Sequence, residues 1–148
     1  MATITTTYQG DMLFETQIGS HSLRIDVPSG MGGSDRGPMP PQLFIASIGS
    51  CVAALVAEYC EKHDIDTTGL RVDVSFDKEE KPARLVNIKA VVTLPNADVH
   101  AKEAAVRRVA EHCPVHETIV DMQPMEIEIR DRSDLSLTDP APTALRNI

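Results

Sequence analysis

The residues of this chain with the most specific chemistry are its three cysteines, Cys51, Cys60 and Cys113. Cys51 ends the segment Pro40-Pro41-Gln42-Leu43-Phe44-Ile45-Ala46-Ser47-Ile48-Gly49-Ser50-Cys51, and Cys113 lies within Glu111-His112-Cys113-Pro114-Val115-His116. A cysteine reacts as its thiolate, and helix ends and polar neighbours can stabilise that form. Two such thiols at helix positions in a small acidic chain predict redox chemistry.

Helix geometry separates the three thiols. Cys51 and Cys60 lie nine residues apart on one predicted helix. At about 100° and 1.5 Å per residue they face opposite sides and are about 13 Å apart along the axis, so they cannot share a site. Cys60 is therefore interpreted as a small buried apolar residue. Cys51 and Cys113 are left as the plausible pair.

The local sequence differs at the two remaining thiols. Pro114 suits the first position of a helix, which would make Cys113 the N-cap of that helix. Unpaired backbone N–H groups and the helix dipole favour a thiolate there. Cys51 lies inside a helix, one turn after Ser47 and one turn before Leu55. Local sequence alone therefore predicts Cys113 as the more acidic thiol.

Two other chemistries fit parts of the same pattern. Zinc accepts Cys and His ligands, and the spacings Cys60-x-x-His63 and His112-Cys113-x-x-His116 are ligand-like, although the chain has no CxxC pair. His116 also follows Cys113 by about one helical turn, as a cysteine and histidine acyl-transfer site would require. No oxyanion motif accompanies that second arrangement.

Composition limits the function classes. The chain has 148 residues, with 14 Lys and Arg against 22 Asp and Glu, and a formal net charge of −8. This balance argues against a nucleic-acid partner, since phosphate binding needs clustered basic residues. The sequence shows no secretory signal, and no apolar run approaches the roughly 20 residues of a membrane span. With an odd number of cysteines, these features predict a cytoplasmic protein.

Hydrophobic periodicity predicts an α+β fold with the element order β-β-β-α-β-β-α-α-β, in which helices cover mostly antiparallel sheets. Residues 28–41 are too rich in Gly and Pro for regular structure and form a long loop. Residues 1–130 form a single domain, and residues 131–148 are a polar tail. The predicted strands are 3–9, 11–18, 21–27, 70–77, 84–94 and a last one through Met125, Ile127 and Ile129; the predicted helices are 42–62, 98–112 and 114–122.

The order Pro-x-x-Leu, a helix with small residues that carries Cys51, a strand hairpin and a helix ending in Cys113-Pro114-Val115 resembles the OsmC/Ohr family. The resemblance covers about residues 8–130. It implies an intertwined homodimer in which antiparallel sheets wrap long buried central helices. The predicted helix 42–62 is apolar around almost its whole circumference. One sheet covers only one side of it, so its other side needs such a partner.

The resemblance also implies a function, the thiol-dependent reduction of organic hydroperoxides without a metal or cofactor. It names Cys51 as the peroxidatic thiol and Cys113 as the resolving thiol, against the local expectation for Cys113. An external dithiol would restore the pair, and an arginine would assist the first thiol. Arg36 is the only arginine of the loop before the helix, so it is the candidate for that role.

The chain departs from the family's peroxidase members at one motif. Those members carry Asn-Pro-Glu-x-Leu, in which the Glu anchors the arginine, whereas this chain has Met39-Pro40-Pro41-Gln42-Leu43. Pro41 replaces the Glu, and Gln42 cannot carry charge. The alternative function is therefore an OsmC-like binding or redox-responsive protein without peroxidase turnover.

Overall fold

A computed structural model describes residues 2–131 of the protein. Its first three strands form an antiparallel meander with the order β1-β2-β3. Tight turns connect these three strands. Gly10 and Gly19 lie in the turns and adopt positive φ values of 96° and 59°, which favour glycine. The strands are β1 (Thr5–Gly10), β2 (Leu13–Ile18) and β3 (His21–Ile25).

A long helix, α1 (Pro40–Lys62), follows the loop after β3. Pro40 and Pro41 occupy its first positions, where the missing N–H groups have no helical partner to lose. The Gln42 side chain accepts a hydrogen bond from the Met39 N–H at 2.8 Å and caps the start. One stripe at helical spacing is buried, comprising Ile45, Ile48, Val52, Val56 and Cys60.

The second half of the chain contains a two-stranded antiparallel hairpin and two short helices. A register shift between Ser75 and Asp77 interrupts the hairpin. The elements are β4 (Arg71–Glu80), β5 (Ala83–Thr93), α2 (Glu103–Glu111) and α3 (Pro114–Val120). Short 3₁₀ turns occupy Ser29–Met31 and His100–Lys102.

Helix α1 is the element around which the second half of the chain packs. Its contacts are with β4, β5, α2 and α3, whereas β1, β2 and β3 chiefly contact one another. The central apolar cluster consists of Val52, Val56, Cys60, Val106 and Cys113. The α+β class and the antiparallel sheets predicted from periodicity are confirmed.

Two predicted elements differ in the structure. Residues 125–129 form no strand in the described chain, and their side chains are 74–88% exposed at Met125, Ile127 and Ile129. The apolar and polar residues do alternate, but no strand within residues 2–131 pairs with this segment. The predicted helix 98–112 is shorter, because residues 100–102 take a tighter 3₁₀ turn before α2. The predicted tail lies outside the described residues beyond Asp131.

The expectation that no segment is long enough to cross a membrane was wrong as to length. Helix α1 has 23 residues and a mean hydropathy of 1.8 over its most apolar part, which suffices by length and composition. The core helix of a globular domain passes the same test. Its packing against β4 and α2 is that of such a core helix.

Candidate active site

Cys51 lies near the middle of α1 and is partly buried. It follows Ile48 and precedes Val52, both of which belong to the buried stripe, so its side chain stands at the margin of that stripe. It packs against the central apolar cluster that contains Cys113. At this position one side of the thiol contacts other residues, and part of the thiol remains accessible to solvent.

Cys113 is the N-cap of α3 and is fully buried. Its backbone is extended, with φ −71° and ψ 140°, and its Sγ accepts a hydrogen bond from the His116 N–H at 3.3 Å. The N-cap position predicted from Pro114 is therefore present. The expected acidity is not, since burial raises the pKa of the Cys113 thiol despite the hydrogen bonds from His116 and Val115.

The two thiols lie close enough to influence each other. The neighbouring Cys51 side chain and the charge of its thiolate both raise the pKa of Cys113 further. All three cysteines are free. Sequence positions 51 and 113 thus meet because α3 packs on α1. Such a pair can form a sulfenic acid on one sulfur and a disulfide with the other.

Cys60 has a different environment. It is fully buried in the central apolar cluster, and burial raises the pKa of its thiol, with partial opposition from the charge of Lys102. A neutral thiol surrounded by apolar side chains behaves as a small hydrophobic group. The structure therefore gives Cys60 a packing role.

Within the described residues, the histidines complete neither the zinc site nor the acyl-transfer site that the sequence offered as alternatives. Within residues 2–131 no group of three or more His, Cys, Asp or Glu side chains could hold a metal ion, so the zinc hypothesis lacks a ligand set there. The His116 ring bonds to the Glu111 carbonyl at 2.7 Å, and the His112 ring bonds to the Arg108 carbonyl at 2.8 Å. It is the His116 backbone, and not its ring, that contacts the Cys113 sulfur.

Arg36 is placed on a buried carboxylate. Its Nε donates to Asp26 Oδ2 at 2.6 Å, its backbone N–H donates to the same oxygen at 3.1 Å, and its Nη2 donates to the Asp11 carbonyl at 2.7 Å. In the part of the chain that the structure describes, no hydrogen bond joins Arg36 to either thiol of the Cys51–Cys113 pair. The structure brings these two cysteines together, whereas Arg36 is bound to Asp26 and Asp11.

Asp26 is the functional candidate that the sequence analysis missed. Its alternation with Ile25 and Val27 would place Asp26 on the polar side of the predicted strand 21–27, yet its side chain is fully buried. The Arg36 side chain holds the pKa of Asp26 well below its ordinary value; burial opposes this, and N–H groups of Arg36, Val27 and Ser34 add to it. An acid that directly precedes a Gly-rich loop containing one arginine was the available signal.

An apolar groove of about 1080 Å³ lies beside the thiol pair. Helix α1, strand β5, and helices α2 and α3 form its walls, and neither cysteine lines it. His116, whose N–H binds the Cys113 sulfur, belongs to its lining. Its apolar floor includes Val52, Val92, Val106 and Ala110.

The fold and the site together define an α+β protein that carries a dithiol between its central helix and a C-terminal helix. The family model described as OsmC-like protein matches residues 32–130, which is more than half of the chain. This protein belongs to the OsmC-like family. The resemblance inferred from the two cysteine segments is thereby confirmed.

Solved structures of low sequence identity share the fold. A protein from Psychrobacter arcticus 273-4, named as an osmotic stress induced and detoxification response protein, is 22% identical with a TM-score of 0.71, over 80% of this chain and 88% of that chain. An OsmC-like protein from Mycoplasma pneumoniae is 17% identical with a TM-score of 0.64, over 81% and 87%. The comparison with curated protein sequences gave no match.

A third structure carries a functional name. The organic hydroperoxide resistance protein OhrB of Bacillus subtilis is 20% identical with a TM-score of 0.57, over 82% of this chain and 92% of that chain. At these identities the three structures establish the fold alone.

Proposed function

We propose that the protein reduces organic hydroperoxides with Cys51 as the peroxidatic thiol and Cys113 as the resolving thiol. The observation that carries this proposal is the proximity of two free thiols around one apolar cluster, one thiol partly accessible and one fully buried. Family membership and hydroperoxide-resistance neighbours support the same reaction class.

The reaction would proceed in three balanced steps. The Cys51 thiolate attacks the terminal peroxide oxygen, and the S–O bond forms as the O–O bond breaks, which leaves a sulfenic acid on Cys51; the departing alkoxide takes a proton from water and leaves as the alcohol. The Cys113 thiol then attacks the sulfenic sulfur, which forms the disulfide and releases water. An external dithiol reduces the disulfide by two exchange steps and becomes oxidised itself.

The two environments support this division of roles. Cys113 has a raised pKa and no exposed surface, so it is poorly placed to meet a peroxide in solution. Cys51 is partly accessible and packs against the apolar cluster that contains Cys113. The adjacent apolar groove offers the alkyl part of an organic hydroperoxide a surface to bury. Arg36 is proposed as the third residue of the site, beside the two cysteines, since its Nη1 has no hydrogen-bond partner within the described residues.

The protein would work as an intertwined homodimer. The β1–β3 sheet has little contact with the rest of its own chain, and apolar residues of that sheet remain exposed, with Tyr8 at 60% and Ile18 at 41%. Helix α1 buries one stripe and leaves other apolar residues such as Phe44 partly exposed. A second copy would cover these faces. We propose the cytoplasm as its location, where reducing dithiols are available.

Thiol counting tests the reaction. Wild-type protein has three free cysteines, and one equivalent of cumene hydroperoxide should remove two of them by forming one disulfide. Cys51→Ser should abolish the loss, whereas Cys60→Ala, the matched control, should retain it. Cys113→Ser should stop at the sulfenic acid, which dimedone traps. Wild-type protein that keeps all three thiols would contradict the proposal.

A second function has one specific observation in its favour. The position of the family's arginine-anchoring Glu is occupied by Pro41, which belongs to the first turn of α1 and carries no charge. An OsmC-like binding or redox-responsive protein could oxidise its dithiol once without sustained turnover. Repeated additions of hydroperoxide with excess dithiothreitol distinguish the two functions, because only the peroxidase consumes many equivalents per chain.

A further inference from the structure

His116 is the residue that joins the thiol pair to the apolar groove. Its backbone N–H donates a hydrogen bond to Cys113 Sγ at 3.3 Å. The residue is half-buried in the first turn of α3, and it lines the groove together with Val52, the neighbour of Cys51 on α1. The reaction described above gives the His116 side chain no role.

The His116 ring ties the start of α3 to the end of α2. Its Nδ1 lies 2.7 Å from the carbonyl oxygen of Glu111, which is the last residue of α2. A carbonyl oxygen can only accept a hydrogen bond, so Nδ1 carries the proton of this bond in either charge state of the ring. The bond also satisfies a carbonyl at a helix C-terminus, which lacks a helical partner. His116 therefore closes the turn that carries the resolving thiol, Cys113.

The ring is also near the sulfur. The His116 backbone nitrogen is 3.3 Å from Cys113 Sγ, and covalent bond lengths keep both ring nitrogens within roughly 6 Å of that backbone nitrogen. The ring nitrogens thus lie at most about 9 Å from the sulfur, within the screening length of about 10 Å in 0.1 M salt. A positive ring at this distance favours the thiolate. Cys113 needs such help, since burial raises the pKa of its thiol.

No other charged group of the groove has this link to the sulfur. Nε2 of His116 has no hydrogen-bond partner within residues 2–131 and is open to a proton from solvent. Helix α1 contributes only apolar residues to the groove, and Arg107 of α2 is paired with Glu103 at 2.8 Å. The charged or titratable residues that line the groove beside His116 are Lys89 of β5, Asp98 and His100 of the next connection, and Glu103, Arg107 and Glu111 of α2.

We propose that His116 is the positioning residue of the resolving thiol: its ring holds the α2–α3 turn, and its charge in the protonated state makes Cys113 more reactive. This proposal rests on the proposed function, in which Cys113 attacks the sulfenic sulfur of Cys51. In that step Cys113 loses its proton, the S–S bond forms as the S–O bond breaks, and the departing hydroxide takes up a proton and becomes water. The Cys113 sulfur is oxidised and the Cys51 sulfur is reduced. His116 acts on the loss of the proton from Cys113.

An aromatic disulfide, dithiobis-nitrobenzoate, isolates this step without a hydroperoxide. In the Cys60→Ala background, attack by Cys51 releases one thionitrobenzoate, and Cys113 then displaces a second one as it forms the disulfide. The rate of the second release therefore reports on Cys113. The rate is followed by absorbance at about pH 8 and about pH 5.5, the range in which histidines generally change charge.

Two substitutions separate the hydrogen bond from the charge. His116→Asn keeps an N–H for the Glu111 carbonyl but carries no charge. It should equal wild type at about pH 8 and be about threefold slower at about pH 5.5, because a tenfold gain in thiolate is partly offset by its lower nucleophilicity. His116→Ala loses the hydrogen bond as well and should be slower at both pH values. If His116→Ala unfolds, the comparison of His116→Asn with wild type carries the test.

His112→Asn is the matched control. The His112 ring likewise bonds to a carbonyl of α2, that of Arg108 at 2.8 Å, but His112 donates no hydrogen bond to a thiol within residues 2–131. The control should leave the second release unchanged, and Cys113→Ser should abolish it. A His116→Asn rate equal to wild type at both pH values, or an equal effect of His112→Asn, would overturn the proposal. A wild type that makes the second release yet ignores cumene hydroperoxide would refute only the proposed function.

Discussion

At the scale of single residues, burial has more influence on the thiols than the local helix environment. Cys113 has the N-cap geometry that should stabilise a thiolate, and its sulfur does accept a backbone N–H. Its pKa is nevertheless raised, because the complete removal of water from the sulfur disfavours the charged form more strongly. A short helix end cannot offset that loss of solvation.

This difference predicts an order of alkylation. Under native conditions iodoacetamide should label Cys51 first, whereas Cys60 and Cys113 should react at least about tenfold more slowly, since both are buried and have raised pKa values. Mass spectrometry of peptides over time measures each site separately. Labelling in urea is the control, because all three cysteines should then react alike. Fast native labelling of Cys113 would contradict the assigned roles.

Asp26 predicts a specific pH dependence of stability. Its pKa in the folded protein lies well below the ordinary value of 3.8, so its ion pair stabilises the fold above that value. The contribution is lost as the pH falls below about 4, because the unfolded chain then binds a proton more readily than the folded chain does. Urea unfolding of wild type and Asp26→Asn should show a larger difference at about pH 7 than at about pH 3. An unchanged difference would show that the charge of Asp26 is not involved.

At the scale of elements, the loop between β3 and α1 is an ordered connection. Its Gly and Pro content correctly excluded regular structure over most of its length, apart from one 3₁₀ turn at Ser29–Met31. Composition did not reveal that the loop is tied to β3 by the hydrogen bonds of Asp26 and by that of the Asp35 N–H to the Val27 carbonyl. Those bonds depend on which groups the folded chain brings together.

Alanine substitutions at two glycines of this loop should differ in their effect on stability. Gly33→Ala should lower the free energy of unfolding by about 1–3 kcal/mol, because the new Cβ would collide with the Val27 carbonyl and the Asp26 carboxylate. Gly30→Ala, three residues earlier, is the matched control, since nothing lies within 4 Å of its new Cβ. Chemical denaturation of both variants measures the contrast. Equal stability of the two variants would argue against the packed loop.

At the scale of the whole molecule, a single chain leaves several apolar surfaces without a partner. Within the described residues the sheet β1–β3 has few contacts with other elements, and Met125, Ile127 and Ile129 alternate along a segment outside any helix or strand, with their side chains exposed. Alternation places these three on one face of an extended chain. We expect a second copy to bury that face.

The homodimer has a direct test. Sedimentation should give twice the chain mass of 16.1 kDa for the wild type. Ile127→Lys should shift the equilibrium toward monomer, because it places a charge in the apolar face that the second copy covers. Glu126→Lys, on the opposite face of the same segment, is the control and should leave the dimer intact. A monomeric wild type, or equal effects of both substitutions, would contradict the dimer.

The sequence by itself determined most of the elements and singled out the two cysteines that the fold brings together. The two-residue period of the strands, the long apolar helix and the N-cap at Cys113 follow from local patterns, and local patterns reflect interactions between near neighbours. The two cysteine segments also sufficed to indicate the family. These features can be predicted without knowing the tertiary contacts.

Tertiary structure decided the features that depend on distant groups. The proximity of Cys51 and Cys113, the raised pKa of the buried thiol, and the anchoring of Arg36 by Asp26 all join residues far apart in the chain. Desolvation and ion pairing are set by everything that surrounds a group in space, and a single sequence does not specify those neighbours. The last strand depends on such a neighbour too, since residues 125–129 have the alternating pattern of a strand but no pairing partner within the described chain.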